Sequence, residues 1–299
     1  EGGGMSDLHI FIPSYHRSDN LKSVRYLAEI GWEMSRVVVF IDNEAGDGAD
    51  YEEQARTYGF SLEVLDFQEQ MGRYDYVHRA PKSLRSVGQW QNAFCEYAEK
   101  NKIGFYCYMD DDTSGFEIKL QGRYQKAEVR KGLLSYVFGE VVSMMEERGL
   151  GAFALPQTGD FIGGETKRLW MPKMMNCIIY QTGFVRRGMR GCLDVDTSQF
   201  TGIWNEGLFC GSLADGVTLK QTPSGVSGGG LTALYHEQRL VVKSLVVPIQ
   251  FPSAAYAERQ EKNGGRLHHH IDYRFLAPKI LKGGQDKDNL NWRKWEEDR

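Results

Sequence analysis

Three consecutive aspartates, Asp110, Asp111 and Asp112, directly follow the apolar run FYCYM at residues 105–109. Carboxylates this close repel one another, and the repulsion raises their pKa values unless a cation relieves it. If the strand continued through them, Asp110 and Asp112 would lie on the same side. Paired carboxylates suit hard divalent ions that keep further positions for phosphate oxygens. The pattern predicts a divalent metal site, and the alternative is an acidic loop that only solvates a strand end.

The bulk composition is that of an ordinary globular protein. The 299 residues are 41% hydrophobic and 25% charged. A formal charge of -4 does not indicate a generally basic nucleic-acid binder, although a local basic face is compatible with it. The five cysteines include no CxxC pair, which favours reduced thiols and a cytoplasmic protein. No run of about 18 apolar residues is present, so neither a membrane span nor a membrane partner is predicted.

Residues 8–112 alternate between strand-like and helix-like patterns. The predicted strands are 8–12, 36–41, 61–67 and 103–109. The predicted helices between them are 19–30, 50–58 and 86–100. Such an alternation predicts an α/β fold, with a mostly parallel, Rossmann-like sheet and helices on both faces.

The pattern changes after Asp112. Here the sequence predicts helices at 132–148 and 207–216, and strands at 151–156, 176–180 and 240–249. We therefore divide the chain into residues 5–112, residues 113–281 as the second half of the same domain, and a charged tail at 282–299.

Polar residues follow three of the predicted strands, and ligands of open parallel sheets bind at the carboxyl ends of strands. These strand ends are PSYHR at 13–17, DNE at 42–44 and the three aspartates. Just upstream of the aspartate strand, Arg85 and Asn92 lie around the start of a predicted helix, an arrangement that suits a diphosphate. For Arg85 alone, a solvated surface cation is the alternative.

Taken together, IPS at 12–14, Arg17, the strand ending at Asp42, the helix with Asn92 and YMDDD at 108–112 resemble a GT-A glycosyltransferase. In that family the first half binds a nucleotide-sugar, and a DxD motif holds a divalent metal on its diphosphate. The resemblance implies Mn²⁺ or Mg²⁺ as cofactor and a UDP-sugar or related donor. It implies metal binding by Asp110 and Asp112, and nucleotide-sugar binding by Pro13, Ser14, Arg17, Asp42, Arg85, Asn92, Asp110 and Asp111.

The second half carries two weaker signals of the same family. WNEGLFCGSLADG at 204–216 is similar to the acidic motif that opens a helix in many GT-A enzymes, which implies Glu206 as general base. The alternative is an acid favoured only by the helix dipole. Asp194 and Asp196 are interpreted mainly as loop acids. A C-terminal His often completes the metal site, which implies His236, with His268, His269 and His270 as alternatives.

The layout also resembles the TET-associated glycosyltransferases of bacteriophages. The shared features are the IPSYHR opening, the long helix after the aspartates, and the path from Glu206 through GVSGGG to a late strand. This implies sugar transfer to 5-hydroxymethylcytosine in double-stranded DNA, in the host cytoplasm if the protein is phage-encoded. Open alternatives are a saccharide or protein acceptor, a sugar-nucleotide nucleotidyltransferase, and a degenerate binding module.

A DNA acceptor would need cationic side chains for its phosphates and aromatic ones to stack on a flipped base. The candidate cations are Arg73, Arg79, Lys82, Lys167, Arg168, Arg186, Arg187 and Arg190. The candidate aromatic residues are Trp170, Tyr180 and Trp204, each of which core packing would equally explain.

Overall fold

A computed structural model describes residues 8–74, 87–120, 123–125, 129–157, 170–171, 174–184, 193–213, 216–221, 240–260 and 265–276. The first half alternates strands and helices, as the sequence predicts. Its strands are β1 (Leu8–Pro13), β2 (Val37–Asp42), β3 (Ser61–Leu65) and β4 (Phe105–Tyr108). Its helices are α1 (Lys22–Glu29), α2 (Gly48–Tyr58), α3 (Phe67–Arg73) and α4 (Val87–Lys100). The four strands pair in parallel in the order β3-β2-β1-β4.

The second half extends the same sheet. Its strands are β5 (Thr113–Leu120), β6 (Arg123–Gln125), β7 (Ala152–Ala154), β8 (Trp170–Met171), β9 (Ile178–Gln181), β10 (Cys210–Leu213), β11 (Gly216–Gln221), β12 (Ala255–Gln260) and β13 (Arg266–Ile271). Its helices are α5 (Lys131–Arg148), α6 (Val195–Asn205), α7 (Leu240–Gln250) and α8 (Tyr273–Leu276). Both predicted halves therefore contribute to one structural unit.

The main sheet has eight strands in the order β3-β2-β1-β4-β9-β7-β10-β8. Strand β9 runs antiparallel to β4 and β7, β8 runs antiparallel to β10, and the remaining pairs are parallel. The predicted α/β class with a mostly parallel sheet is confirmed. A second sheet has the order β11-β5-β6, and its strand β5 begins directly after the aspartates. Strands β12 and β13 pair in a separate hairpin.

The central parallel strands β1, β2 and β4 are buried, as is usual where helices cover a parallel sheet. All six residues of β2 are buried, and β1 is buried at every position except His9. On one face, Phe94 of α4 packs against Phe40 of β2 with ring centroids 4.6 Å apart, and Tyr97 lies 5.5 Å from Phe11. These edge-to-face contacts fix α4 against the strands that precede the aspartates.

Helices α2 and α5 each end at a glycine in the left-handed backbone conformation. Gly59 follows α2 with φ of 81°, and Gly149 follows α5 with φ of 63°. This conformation strains residues with a side chain, so glycine ends a helix readily. The predicted ends of both helices are confirmed.

Two predictions in the second half are wrong. Residues 240–249 form helix α7 rather than a strand, although the run LVVKSLVVPI is rich in β-branched residues. Short apolar runs of this kind do not distinguish the two states. Likewise, residues 207–216 do not form a helix, because α6 ends at Asn205 and β10 follows.

No helix within the described part of the chain is both long enough and apolar enough to cross a bilayer.

The close approach of Phe184, which follows β9, to Gly151, which precedes β7, gives a test of the packing at this end of the two strands. A Cβ atom added at Gly151 would lie 1.5 Å from Cδ1 of Phe184, whereas one added at Gly139 in α5 meets nothing within 4 Å. We expect Gly151→Ala to lower the free energy of unfolding by about 1–3 kcal/mol through overpacking. Gly139→Ala should raise it by about 0.5–1 kcal/mol through helix propensity. Chemical denaturation measures both, and equal effects would contradict this packing.

Candidate active site

A buried ion pair joins the end of β1 to the aspartates that follow β4. Arg17 donates from Nη1 to Oδ1 of Asp111 at 2.6 Å, and Ser14 donates from Oγ to Oδ2 of the same carboxylate at 2.7 Å. Asp111 is only 7% exposed. The middle aspartate is therefore anchored to the loop that leaves β1.

Tyr51 of α2 contacts both residues that bind the Asp111 carboxylate. Its hydroxyl lies 2.8 Å from Oγ of Ser14 and accepts the backbone N–H of Arg17 at 3.0 Å. Burial raises the pKa of Tyr51 to about 12, against the hydrogen bonds from Ser14 and Arg17, which lower it. Sequence reasoning missed Tyr51, because a tyrosine on an apolar helix face is an ordinary core residue.

The aspartates lie in a tight turn and not in an extended segment, which corrects the expected alternation. The N–H of Thr113 donates to the carbonyl of Asp110 at 3.4 Å, which closes a four-residue turn. Ser23 in the first turn of α1 holds the turn, since its N–H donates to the carbonyl of Asp111 at 3.2 Å and its hydroxyl to that of Asp110. The first turn of α1 thus positions all three acids.

The three carboxylates have different surroundings. Asp110 accepts the hydroxyl of the buried Tyr108. Asp111 binds Arg17, and Oδ2 of Asp112 lies 3.6 Å from the same guanidinium nitrogen. Burial raises the pKa of Asp111, although the positive charge of Arg17 opposes the rise. The guanidinium of Arg17 therefore contacts two of the three acids.

Asp110 and Asp112 fit a divalent ion that completes its coordination with oxygens from outside the protein. Their carboxylates are the hard ligands that Mg²⁺ and Mn²⁺ prefer. Within the described ranges, no three His, Cys, Asp or Glu side chains are grouped so as to hold a metal.

Of the other predicted donor-site residues, two lie at the sheet edge, one lies in the interior and one lies outside the described residues. Pro13 ends β1 and Asp42 ends β2, at the same sheet edge as the aspartates. Asp42 is 2% exposed, and its Oδ1 accepts the N–H of Glu44 at 2.8 Å. Asn92 lies in the second turn of α4 and is 1% exposed, so it is an interior residue. Arg85 lies outside the described residues.

Glu206 does not open a helix, which corrects the structural basis of its predicted role. It is exposed, and it follows the last residue of α6. The acids that do begin a helix are Asp194 and Asp196, which flank the first residue of α6. Sequence reasoning read this pair as loop acids, because it did not find α6.

Asp196 acts electrostatically on Tyr108, which also contacts Asp110. Burial raises its pKa, and the charge of Asp194 adds to the rise. The charge of Asp196 in turn contributes to the raised pKa values of Tyr108 and Tyr180, after the larger effect of burial. Since Tyr108 also donates to Asp110, the acid that opens α6 and the first metal-ligand candidate share one buried phenol as neighbour.

The histidine alternatives lie on β13, and His236 lies outside the described residues. Nδ1 of His269 is 3.2 Å from Oδ2 of Asp194, and Nδ1 of His270 is 3.6 Å from Oε1 of Glu258. The ring of His268 packs edge-on against that of His269. His269 is thereby engaged with the start of α6.

The DNA-contact candidates that the structure describes are core residues or take part in surface ion pairs. Tyr180 is 0% exposed and Trp204 8% exposed, so both are core residues. Arg73 pairs with Glu69 and Glu96 on the protein surface. The remaining cationic candidates, Arg79, Lys82, Lys167, Arg168, Arg186, Arg187 and Arg190, lie outside the described residues, as does the side chain of Trp170.

No known family model matches the sequence, and no curated protein does. Among solved structures, S. aureus TarS is similar with a TM-score of 0.42 and 13% identity over 80% of this chain. This chain spans 39% of that TarS chain and 65% of its 1–349 form.

Two further similar structures contain metal and nucleotide. Glucosyl-3-phosphoglycerate synthase from Mycobacterium tuberculosis, in complex with Mn²⁺, UDP and phosphoglyceric acid, has a TM-score of 0.49 and 9% identity over 90% of this chain and 87% of that chain. The mannosyltransferase PcManGT from Pyrobaculum calidifontis, in complex with GDP-Man and Mn²⁺, has a TM-score of 0.49 and 13% identity over 82% of this chain and 63% of that chain. At such identities and with scores below 0.5, these similarities assign neither an activity nor a residue role to this chain.

The raised pKa of Asp111 predicts a particular pH dependence of stability. A carboxyl whose pKa is higher in the folded state than its usual 3.8 stabilises the fold fully below the unfolded pKa. This contribution is lost as the pH rises through the folded pKa. The free energy of unfolding of Asp111→Asn, minus that of the wild type, should therefore increase from about pH 4 upward.

Thermal or denaturant unfolding at several pH values measures this difference. Asp50→Asn, an exposed change on α2, is the matched control for the loss of one carboxyl group. A difference for Asp111→Asn that is flat or falls with pH would contradict the raised pKa.

Proposed function

We propose that this chain is a metal-dependent GT-A glycosyltransferase that transfers a sugar from a nucleotide-sugar, a UDP-sugar, to a hydroxyl acceptor. The observation that carries the proposal is the turn of three aspartates at the carboxyl edge of the sheet. Its middle acid is tied to β1 by Arg17 and Ser14, and its outer acids, Asp110 and Asp112, are the candidate metal ligands.

The donor would bind across the ends of β1, β2 and β4. Pro13, Ser14, Arg17 and Asp42 lie at this edge beside the aspartates, where open parallel sheets bind their ligands. Arg17 also brings a cation to the place where a diphosphate would lie. Arg85 remains a donor contact inferred from the sequence, and Asn92 would support the site from within α4.

Asp110 and Asp112 would hold Mn²⁺ or Mg²⁺, and His236 remains a third ligand inferred from the sequence. When bound, the ion would supply Lewis-acid neutralisation of the leaving diphosphate. The residue types support this assignment, because carboxylate oxygens are the hard ligands that these ions prefer.

Asp196 is the acid that we assign as general base, in place of Glu206, if the reaction inverts the anomeric configuration. It lies in the first turn of α6, and its raised pKa brings it towards the range in which a carboxylate accepts a proton well. Asp194 is a poorer base, because the contacts with His269 and Lys243 outweigh burial and lower its pKa.

The proposed acceptor is the hydroxymethyl group of 5-hydroxymethylcytosine in double-stranded DNA, with the enzyme acting in the cytoplasm. This part rests on the resemblance in sequence to TET-associated phage glycosyltransferases. A primary alcohol needs a base to remove its proton, and Asp196 is the acid proposed for this step.

The donor-site assignment predicts loss of metal-dependent donor binding in Asp112→Asn. Calorimetry with Mn²⁺ and UDP-sugars should show binding weakened by about 100-fold or more, since even changes behind a metal ligand cost about 10–100-fold. Asp110→Asn should also weaken binding, and the exposed control Asp50→Asn should not. Binding that chelator and both variants leave unchanged would exclude the metal site.

The choice between the two acids predicts unequal effects on turnover. We expect Asp196→Asn to lower kcat by about 10²–10⁴-fold while donor binding is retained. Glu206→Gln should leave kcat within a factor of about 2, since an exposed residue at the end of α6 has no catalytic part here. The reverse pattern would restore the base role to Glu206.

The acceptor is tested by incubating the protein with Mn²⁺, a panel of nucleotide-sugars and DNA containing 5-hydroxymethylcytosine, followed by nucleoside mass measurement. A hexose-sized increase on the modified nucleoside supports the proposal. Transfer to an oligosaccharide or a protein instead would move the acceptor to those classes. Donor binding without any turnover or hydrolysis would indicate a binding module.

A further inference from the structure

Asp194 begins α6 in an unusual way. Its backbone is left-handed, with φ of 48° and ψ of 45°, which is uncommon for a residue other than glycine. An aspartate before a helix usually accepts hydrogen bonds from the first turn, but the side chain of Asp194 makes no such cap. The strained backbone directs this carboxylate to other elements of the fold.

Two basic side chains from separate elements meet the carboxylate. Nζ of Lys243 on α7 is 3.1 Å from Oδ1, and Nδ1 of His269 on β13 is 3.2 Å from Oδ2. The Asp194 side chain is 7% exposed, and those of Lys243 and His269 are 20% and 12% exposed. Charges that are this well shielded from water interact more strongly than pairs on the surface.

Lys243 and His269 belong to one packed unit, formed by α7 and the β12–β13 hairpin. The hydroxyl of Ser244 in α7 donates to the carbonyl of Leu267 in β13 at 2.7 Å. At the other end of α7, Nε2 of Gln250 donates to Oγ of Ser198 in α6 at 2.9 Å. The unit therefore holds the first turn of α6 at two points, through Asp194 and through Ser198.

Asp196 lies between these two points, and the same charges act on it. After burial, the charge of Asp194 raises its pKa, whereas the N–H of Thr197 and the charges of Lys243 and His269 lower it. On the side of the sheet, Tyr108 and Tyr180 face it, and their pKa values are raised mainly by burial. The position and the charge environment of Asp196 thus both depend on the contacts of its neighbour.

We propose that Asp194, Lys243 and His269 are positioning residues that fix the first turn of α6, so that the α7 and β12–β13 unit forms part of the acceptor side of the site. None of the three need touch a substrate. The catalytic consequence rests on the proposed base role of Asp196, whereas the clamp on α6 does not.

The clamp itself is tested by hydrogen exchange. Lys243→Met and His269→Gln should each speed amide exchange at residues 196–199 by about tenfold, with α4 unchanged. His270→Gln is the matched control, since His270 lies next along β13 and its pair with Glu258 is exposed. Unchanged exchange in both variants would overturn the proposal. His269→Gln keeps the ion pair between Lys243 and Asp194, so it remains informative if Lys243→Met or Asp194→Asn fails to fold.

The link to Asp196 is tested by the pH dependence of kcat. Lys243→Met removes a cation near Asp196 and should move the ascending limb to higher pH, by roughly half a unit. Asp194→Asn removes a like charge and should move it to lower pH by a similar amount. Both variants should lower kcat with little change in donor KM, and general structural damage would not give shifts of opposite sign.

The two assignments fail in different ways. Faster exchange at α6 with unshifted pH profiles would overturn the link between the clamp and Asp196. An Asp196→Asn variant with full activity would instead overturn the proposed base, whatever the exchange data show. Exchange, activity and pH profile all unchanged in His269→Gln would overturn the role of that residue.

Discussion

The site depends on the buried pair between Arg17 and Asp111. Removing two charges from water is costly, and such a pair is tolerated only where further hydrogen bonds satisfy its remaining atoms. Ser14 supplies one of these bonds, and Tyr51 holds both Ser14 and the backbone of Arg17. The pair joins the ends of β1 and β4, so it fixes the turn of aspartates against the neighbouring strand. Loss of Arg17 would remove the cation that contacts both Asp111 and Asp112 at the sheet edge.

This arrangement divides the three aspartates between structure and proposed chemistry. Asp111 is used to position the turn, which leaves Asp110 and Asp112 beside it as the candidate metal ligands. Arg17 contacts both Asp111 and Asp112, so it relieves part of the repulsion between the acids. In the proposed function donor binding would depend on the metal, because carboxylates repel a diphosphate.

The first half was predictable because its local signals agree with its tertiary context. Strands β1 to β4 are apolar runs with polar ends, and α4 carries its apolar residues at helical spacing. In contrast, α6 buries Thr197, Ser198, Gln199 and Thr201 together with its apolar residues, so its sequence shows no amphipathic face. That is why Glu206 at its end was mistaken for an acid at a helix start. The role of Asp111 also required tertiary structure, because Arg17 lies 94 residues away.

The proposed donor and acceptor sides meet at Tyr108. Burial raises the pKa of this phenol well above its usual value, so it stays protonated and donates to Asp110. Tyr108 belongs to β4, which pairs with β9, and Tyr180 of β9 donates to Gln199 in α6. Asp110 and α6 are therefore each held by a tyrosine of the central sheet. Tyr108 donates to Asp110, Tyr180 donates to Gln199, and the strands that carry the two tyrosines are paired. A separation set by paired strands is fixed more closely than one set by loops, which is what a reaction between a bound donor and a positioned base requires.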